Sequence, residues 1–294
     1  MDRNRLIRDI PPTRRSAIGS SRLTASVVAA ELGRLTPRDR LLLDLLNQHR
    51  TFTTDQLVDL AFGSVGRARN RLNTLHDRDI LDRFRHYQRP GSQAWRWTLG
   101  PVGAALLAAG RGEALPRPAA VRDATARLAM SPTLAHLLTV NGFFVALTAH
   151  ARAHPGTRLV RWWSETRCRD ACGNLVRPDG HGVWADHGVV VPFWVEVDLG
   201  TETLSRVVGK LGGYAALPPR RAYPVLFWLP TATREANLHT HLRRVGLPDG
   251  VTVATATADH QGPAGPIWRV VGHRDRVSLA ELPAPNTDGV PWDG

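Results

Sequence analysis

The chain has 294 residues, enough for one large or two ordinary domains with separate cores. A content of 43% hydrophobic and 22% charged residues excludes a disordered chain, and no run approaches the ~18 consecutive apolar residues of a membrane span. The net charge of +12 calls for a polyanion, most simply nucleic acid, while two cysteines argue against a disulfide-built secreted scaffold; a cytoplasmic protein without a membrane partner is expected.

Residues 1–33 read as a basic, flexible arm. Residues 34–110 then form a compact pattern. Thr36-Pro37 is an N-cap followed by proline at the first helical position, ahead of Leu41, Leu42, Leu45 and Leu46 at helical spacing. Thr53 and Gln56 fit a capping box for a second helix, with Leu57, Leu60 and Ala61 as its buried stripe. A third helix begins near Ser64 and carries Arg67, Asn70, Arg71, Thr74 and Arg78 opposite its apolar positions. Two short strands, Leu81 to Tyr87 and Ala94 to Leu99, flank the turn Arg89-Pro90-Gly91-Ser92.

Three short helices and a hairpin are the plan of a winged helix-turn-helix, with the third helix as reader and the hairpin as wing. Arginine, asparagine and threonine reach phosphates and base edges, so Arg67, Asn70, Arg71, Thr74, Arg78, Arg89 and Arg96 are the expected DNA contacts. A protein-binding module of the same elements is the alternative. A helix over 102–109 closes the domain, and residues 111–131, rich in Ala, Arg, Pro and Gly, read as a linker.

Residues 132–258 alternate in type behind a long helix at 132–154. Strands are expected at 159–168, 175–177 and 189–197, a turn at 170–174 and a helix at 203–217. Strand 223–229, helix 233–245 and strand 251–255 follow, an α/β order with helices on the faces of a sheet. Residues 259–294 form a Gly- and Pro-rich extension with one further strand near 267–271.

Asp179 stands at the end of one short strand and Glu196-x-Asp198 at the end of the next. Residues i and i+2 of a strand share a face, so Glu196 and Asp198 can act together with Asp179. Three such oxygen ligands suit Mg²⁺ or Mn²⁺, which activates water and offsets charge on a phosphodiester. Of 38 basic residues only Lys210 is a lysine, and its ammonium would add a donor to the developing charge. Glu165, expected on the first strand, is a possible extra ligand. The alternative is structural: Asp179-Gly180 as an ordinary turn, Glu196-x-Asp198 as a strand end. Cys168-x₃-Cys172 with His181 and His187 has only the outline of a zinc site.

Pro178-Asp179 followed by Glu196-x-Asp198 resembles the PD-(D/E)XK nuclease superfamily. The resemblance implies a restriction-endonuclease-like α/β domain behind the winged helix, with Asp179, Glu196 and Asp198 as metal ligands. One departure is that the family's lysine, two residues after the second acid, is Asp198 here; Lys210 on the next helix is the substitute. Over residues 34–245 the chain also resembles the replication-relaxation family of actinobacterial plasmids and mobile elements. That resemblance rests on Leu35-Thr36-Pro37-Arg38-Asp39, Arg177-Pro178-Asp179-Gly180, and the run from Glu196 to Glu202 with Lys210 and Tyr214 downstream. It implies plasmid replication or relaxation, in company with other replication or mobilisation proteins. Two functions stay open: a DNA-binding protein that nicks or cleaves with Mg²⁺, and a non-catalytic DNA-binding factor on an inactive nuclease-like fold.

Overall fold

The structure, a computed structural model, describes residues 6–7 (by backbone alone), 23–86, 93–258 and 262–283. Most of the basic arm and the expected turn at 89–92, with Arg89, lie outside the described residues. The chain is mixed α and β and divides into two compact units, residues 1–141 and 142–294.

Unit 1 runs β1 (Leu6–Ile7), α1 (Ala25–Leu32), α2 (Pro37–His49), β2 (Phe52–Thr53), α3 (Thr54–Ala61), α4 (Val65–Asp77), β3 (Leu81–His86), β4 (Arg96–Leu99), α5 (Pro101–Gly110) and α6 (Pro118–Ala129). The helix starts are local chemistry. Thr36 and Asp39 close a capping box on α2, Thr53 and Gln56 close another on α3, and the Ser64 hydroxyl caps α4. β3 and β4 form an antiparallel hairpin, and β2 pairs with the outer side of β4. Leu42, Leu46, Leu57, Leu72, Phe84 and Trp97 fill the core.

Two expectations change here. Thr24 caps α1 inside the segment read as an arm, and α1 buries Val28. The segment read as a linker contains α6, whose Leu128 and Ala129 pack with Phe84. Its alanines are small enough to pass for linker composition, yet they are strong helix formers.

Helix α7 (Leu134–Ala153) is the one helix among the described residues long and apolar enough to cross a membrane. Its apolar residues are used inside the protein. In unit 1 its Asn141 amide donates to the carbonyls of His49 and Thr51. In unit 2 its Phe143 and Phe144 lie on the sheet, against Phe193, Trp228, Trp268 and Trp162.

Unit 2 continues with β5 (Thr157–Ser164), α8 (Glu165–Ala171), β6 (Gly180–Asp186), β7 (Val189–Val197), α9 (Leu204–Gly209), α10 (Leu211–Ala215), β8 (Val225–Leu229), α11 (Ala232–Val245), β9 (Val253–Thr257), β10 (Trp268–Val270) and β11 (Arg276–Val277). The sheet order is β11-β10-β9-β8-β7-β6-β5, with β7, β8 and β9 parallel and the other pairs antiparallel. The face opposite α7 presents Trp194, Val225, Phe227, Leu229 and Val253 to α9, α10 and α11. β7 is buried on both faces from Val191 onward, which is why it reads as a continuous apolar run.

The expected strand at 159–168 stops at Ser164. Residues 165–171 are helical, so of the expected turn at 170–174 the first two residues end α8 and 172–174 form the turn, and 175–177 is not a strand. Seven helical residues are too few to show a period; the sign was Cys168 and Cys172, one turn apart and both buried. The region read as an extension supplies β10 and β11, and Trp268 is fully buried.

Candidate functional site

The site lies where β6 and β7 deliver their acids to one end of the sheet. Asp179 immediately precedes β6 rather than ending a strand. Its N–H donates to the Val195 carbonyl at 3.1 Å, and its Oδ2 accepts from the Val197 N–H at 2.7 Å. The carboxylate is therefore held by the ladder itself. Gly180 is no turn residue here: it opens β6, and a Cβ on it would stand 2.6 Å from the Phe144 ring. The missing side chain lets the strand pass beneath that ring and sets Asp179 beside β7.

Glu196 is 1% exposed. Both of its oxygens are engaged. Lys210 Nζ donates to Oε2 and Tyr214 Oη to Oε1, each at 2.6 Å. The helix expected over 203–217 is two short helices, with Lys210 (φ −65, ψ −25) between them, so Lys210 and Tyr214 are spaced by one helical turn and point at the same carboxylate. Gly213 between them allows the close approach: a Cβ there would lie 2.6 Å from the Leu175 carbonyl oxygen.

Burial first, and the Asp179 carboxylate second, push the Glu196 carboxyl above its ordinary value, against the pull of Lys210 and Tyr214. Burial disfavours the Lys210 ammonium, but Glu196 outweighs it and holds Lys210 above its ordinary value, so the lysine keeps its proton. Burial and then Glu196 raise Tyr214 well above its ordinary value, which keeps the phenol a donor.

Asp198 does not join this cluster. Its Oδ1 accepts from the Gly200 N–H at 2.6 Å and its Oδ2 from Arg234 Nε at 2.7 Å, while Arg234 also donates to the Glu202 carbonyl. Asp198 thus fastens the loop after β7 to α11. Glu165 is the first residue of α8, not a strand residue, and is exposed. Among the described residues no three His, Cys, Asp or Glu side chains converge as metal ligands. Cys168 and Cys172 are buried free thiols, and His181 sits among aromatic rings. What could hold a hard cation is the pair Asp179 and Glu196. Two carboxylates fit Mg²⁺, which completes its octahedron with water and substrate phosphate rather than a protein cage. Each Glu196 oxygen accepts one hydrogen bond and has a second lone pair.

In unit 1 the expected DNA contacts divide. Arg67, Asn70 and Thr74 are exposed on α4, and so is Arg69, which a strict reading of the outer face passes over. Arg71 and Arg78 are engaged within the fold. Arg71 forks onto Asp39, with Nε at 2.8 Å from Oδ1, and Arg78 pairs with Glu31. Burial works against the Asp39 carboxylate, but Arg71 and Thr36 outweigh it and hold the carboxyl below its ordinary value. Arg96 is half-buried on β4 and donates to Gln93. Arg83 and Arg85 on β3 place their guanidinium carbons 4.4 and 4.1 Å from the centre of the Trp95 ring.

The chain matches no curated protein and no solved structure. The model of the family described as replication-relaxation matches residues 43–223, more than half of the 294-residue chain and a span that includes Asp179, Glu196, Lys210 and Tyr214. The chain belongs to the replication-relaxation family.

Proposed function

We propose that this protein acts on DNA in plasmid replication or relaxation, with unit 1 docking on the duplex and unit 2 hydrolysing a phosphodiester with Mg²⁺ or Mn²⁺. The observation that carries the reading is the 2.6 Å contact between Lys210 and Glu196. The sequence lacks a lysine two residues after the second acid, and Lys210, arriving from the following helix, supplies the ammonium that a nuclease-like site of two acids and a lysine requires.

In this reading Asp179 and Glu196 hold the cation, which when bound supplies an activated water and offsets charge on the phosphoryl oxygens. The Val197 N–H orients Asp179, and Tyr214 orients Glu196. The Lys210 ammonium turns from Glu196 to donate to the non-bridging oxygen on which negative charge grows. In unit 1 the order helix, short strand, helix, helix, hairpin, with β2 paired to the hairpin, supports a winged helix that reads with α4. Arg67, Arg69, Asn70 and Thr74 are its contacts, and Arg71 and Arg78 hold it together. The protein then works at double-stranded DNA in the cytoplasm, beside other replication or mobilisation proteins and without a membrane.

The test is conversion of supercoiled plasmid with Mg²⁺ or Mn²⁺ by wild type, Asp179→Asn and Lys210→Met. Open circles or linear product, lost in both variants, are expected. The second reading, a DNA-binding platform without catalysis, is favoured by one observation: both Glu196 oxygens already have protein donors. Plasmid that is shifted on a gel yet stays supercoiled would decide for it.

A further inference from the structure

Beside the acid pair the same sheet face bears an aromatic platform edged with arginine. Trp163, His181 and Trp194 stand side by side across β5, β6 and β7, with ring centroids 4.7 Å apart from His181 to each tryptophan. Tyr223 stacks on His181 at 5.3 Å. Trp194 joins the platform to the acids: it lies two residues before Glu196 on β7, and its ring is 6.4 Å from that of Tyr214. The Trp194 indole N–H donates to the Arg221 carbonyl at 3.1 Å, which fixes the segment carrying Arg220, Arg221 and Tyr223.

The platform is graded in exposure. His181 and Trp194 are buried, whereas Trp163 and Tyr223 reach the surface in part. Guanidiniums gather at that rim. Arg161, on the same face as Trp163 two residues earlier, and Arg167, in the first turn of α8, place their guanidinium carbons 5.0 and 5.4 Å from the Trp163 ring centre. The charged groups acting on Tyr223 are Arg221, Arg161 and Arg220. Those acting on His181 are Arg161 and Arg221. Arg167 and Arg220 are exposed. A positive rim with partly exposed aromatic rings is the chemistry of a single strand: phosphates track the charge, and unpaired bases find a π face that a duplex cannot offer them.

We propose that Arg161, Trp163, Arg167, Arg220, Arg221 and Tyr223 form a binding surface for single-stranded DNA next to Asp179 and Glu196. The substrate class of unit 2 is then an unpaired strand, as exposed at a melted origin, and the surface leads that strand to the acid pair. The direction of travel rests on the nuclease-like reading of the acids; binding of the strand does not.

The experiment uses the full chain in EDTA, so that no cleavage enters. Fluorescence anisotropy with labelled oligo-dT of about 12 nucleotides compares wild type, Arg167→Gln/Arg220→Gln, Tyr223→Leu and, in unit 1, Arg67→Gln/Arg69→Gln. Both arginines of the first variant are exposed, so its fold is expected to survive, and its melting temperature checks that. It should bind oligo-dT roughly tenfold more weakly and with a salt slope shallower by about 1.4, two phosphates' worth for a single strand. Tyr223→Leu should weaken oligo-dT roughly fivefold or more, and the α4 variant should lose duplex and keep oligo-dT. Unchanged oligo-dT affinity in the folded double variant overturns the proposal, and so does an equal loss for a duplex of the same length, which would make the surface a duplex site. Loss of plasmid nicking bears only on the catalytic reading, because a non-cleaving protein can still pass every arm of this test.

Discussion

Unit 2 buries two glutamates, and they are held in opposite ways. Glu235 on α11 meets the guanidinium fork of Arg276, with Nη2 2.6 Å from Oε2 and Nη1 3.1 Å from Oε1. Thr255 Oγ1 adds a bond at 2.6 Å, and His239 Nε2 lies 2.8 Å from the same hydroxyl. Burial works against that carboxylate, but the Arg276 and Thr255 hydrogen bonds outweigh it and keep Glu235 below its ordinary value. Glu196 has a lysine and a tyrosine in place of a fork, with Asp179 beside it, and its carboxyl is pushed up. A guanidinium in a fork satisfies a carboxylate and pins α11 to β11, and the Thr255 hydroxyl adds β9. An ammonium is a point charge that can leave for a phosphate. The first arrangement is a clamp; the second is the one that the proposed function gives a further ligand.

The contrast is broken most severely at the clamp. Arg276→Ala strands the Glu235 carboxylate in the interior and is expected to cost about 3 kcal/mol in chemical denaturation. A change under ~1 kcal/mol would put Glu235 in the class of weak surface pairs instead.

Lys210→Met should cost less, about 1 kcal/mol, since a carboxyl already pushed up takes a proton rather than remain charged. The same change should lower plasmid nicking by about a hundredfold or more. Equal destabilisation by Lys210→Met and Arg276→Ala would erase the distinction between clamp and site. Lys210→Arg sharpens it: a fork would lock Glu196 as Arg276 locks Glu235, so the fold should hold while nicking stays lost.

Tyr214→Phe removes one hydrogen bond to Glu196 and should lower stability by about 1 kcal/mol, read by the same denaturation. A further effect is expected from acid. Burial, with Arg269 next, lowers His239 to about 4, below its ordinary 6.5. A depressed folded pKa means that the unfolded chain takes the proton first. Its contribution is therefore whole above pH 6.5 and is lost as pH falls toward 4. The melting temperature of wild type should drop across that window, and His239→Gln should make the slope shallower. The slope would not vanish, because His49 and His181 are each pushed down to about 3 by burial and act with the same sign, together outweighing Glu196, whose raised carboxyl acts with the opposite one. An identical slope in the variant would count against a buried neutral His239.

Sequence alone placed the starts of α2, α3 and α4, the β3–β4 hairpin and the apolar run of β7, because caps, turn residues and periodicity act over a few residues. It also picked Asp179, Glu196 and Lys210, from acids at strand ends and one solitary lysine. Partnership at a distance was decided only by tertiary structure. Asp198 left the acid cluster because Arg234, 36 residues on, reaches it first, and Arg71 left the set of expected DNA contacts because Asp39, 32 residues back, holds its guanidinium. Tyr214 was visible only as a residue downstream of Lys210; its bond to Glu196 required the helix geometry between them. The platform of Trp163, His181 and Tyr223 draws on two strands and a loop, and sequence marks none of them as neighbours. A one-dimensional pattern carries period and propensity, but which charge finds which is set by where the packed sheet puts each side chain.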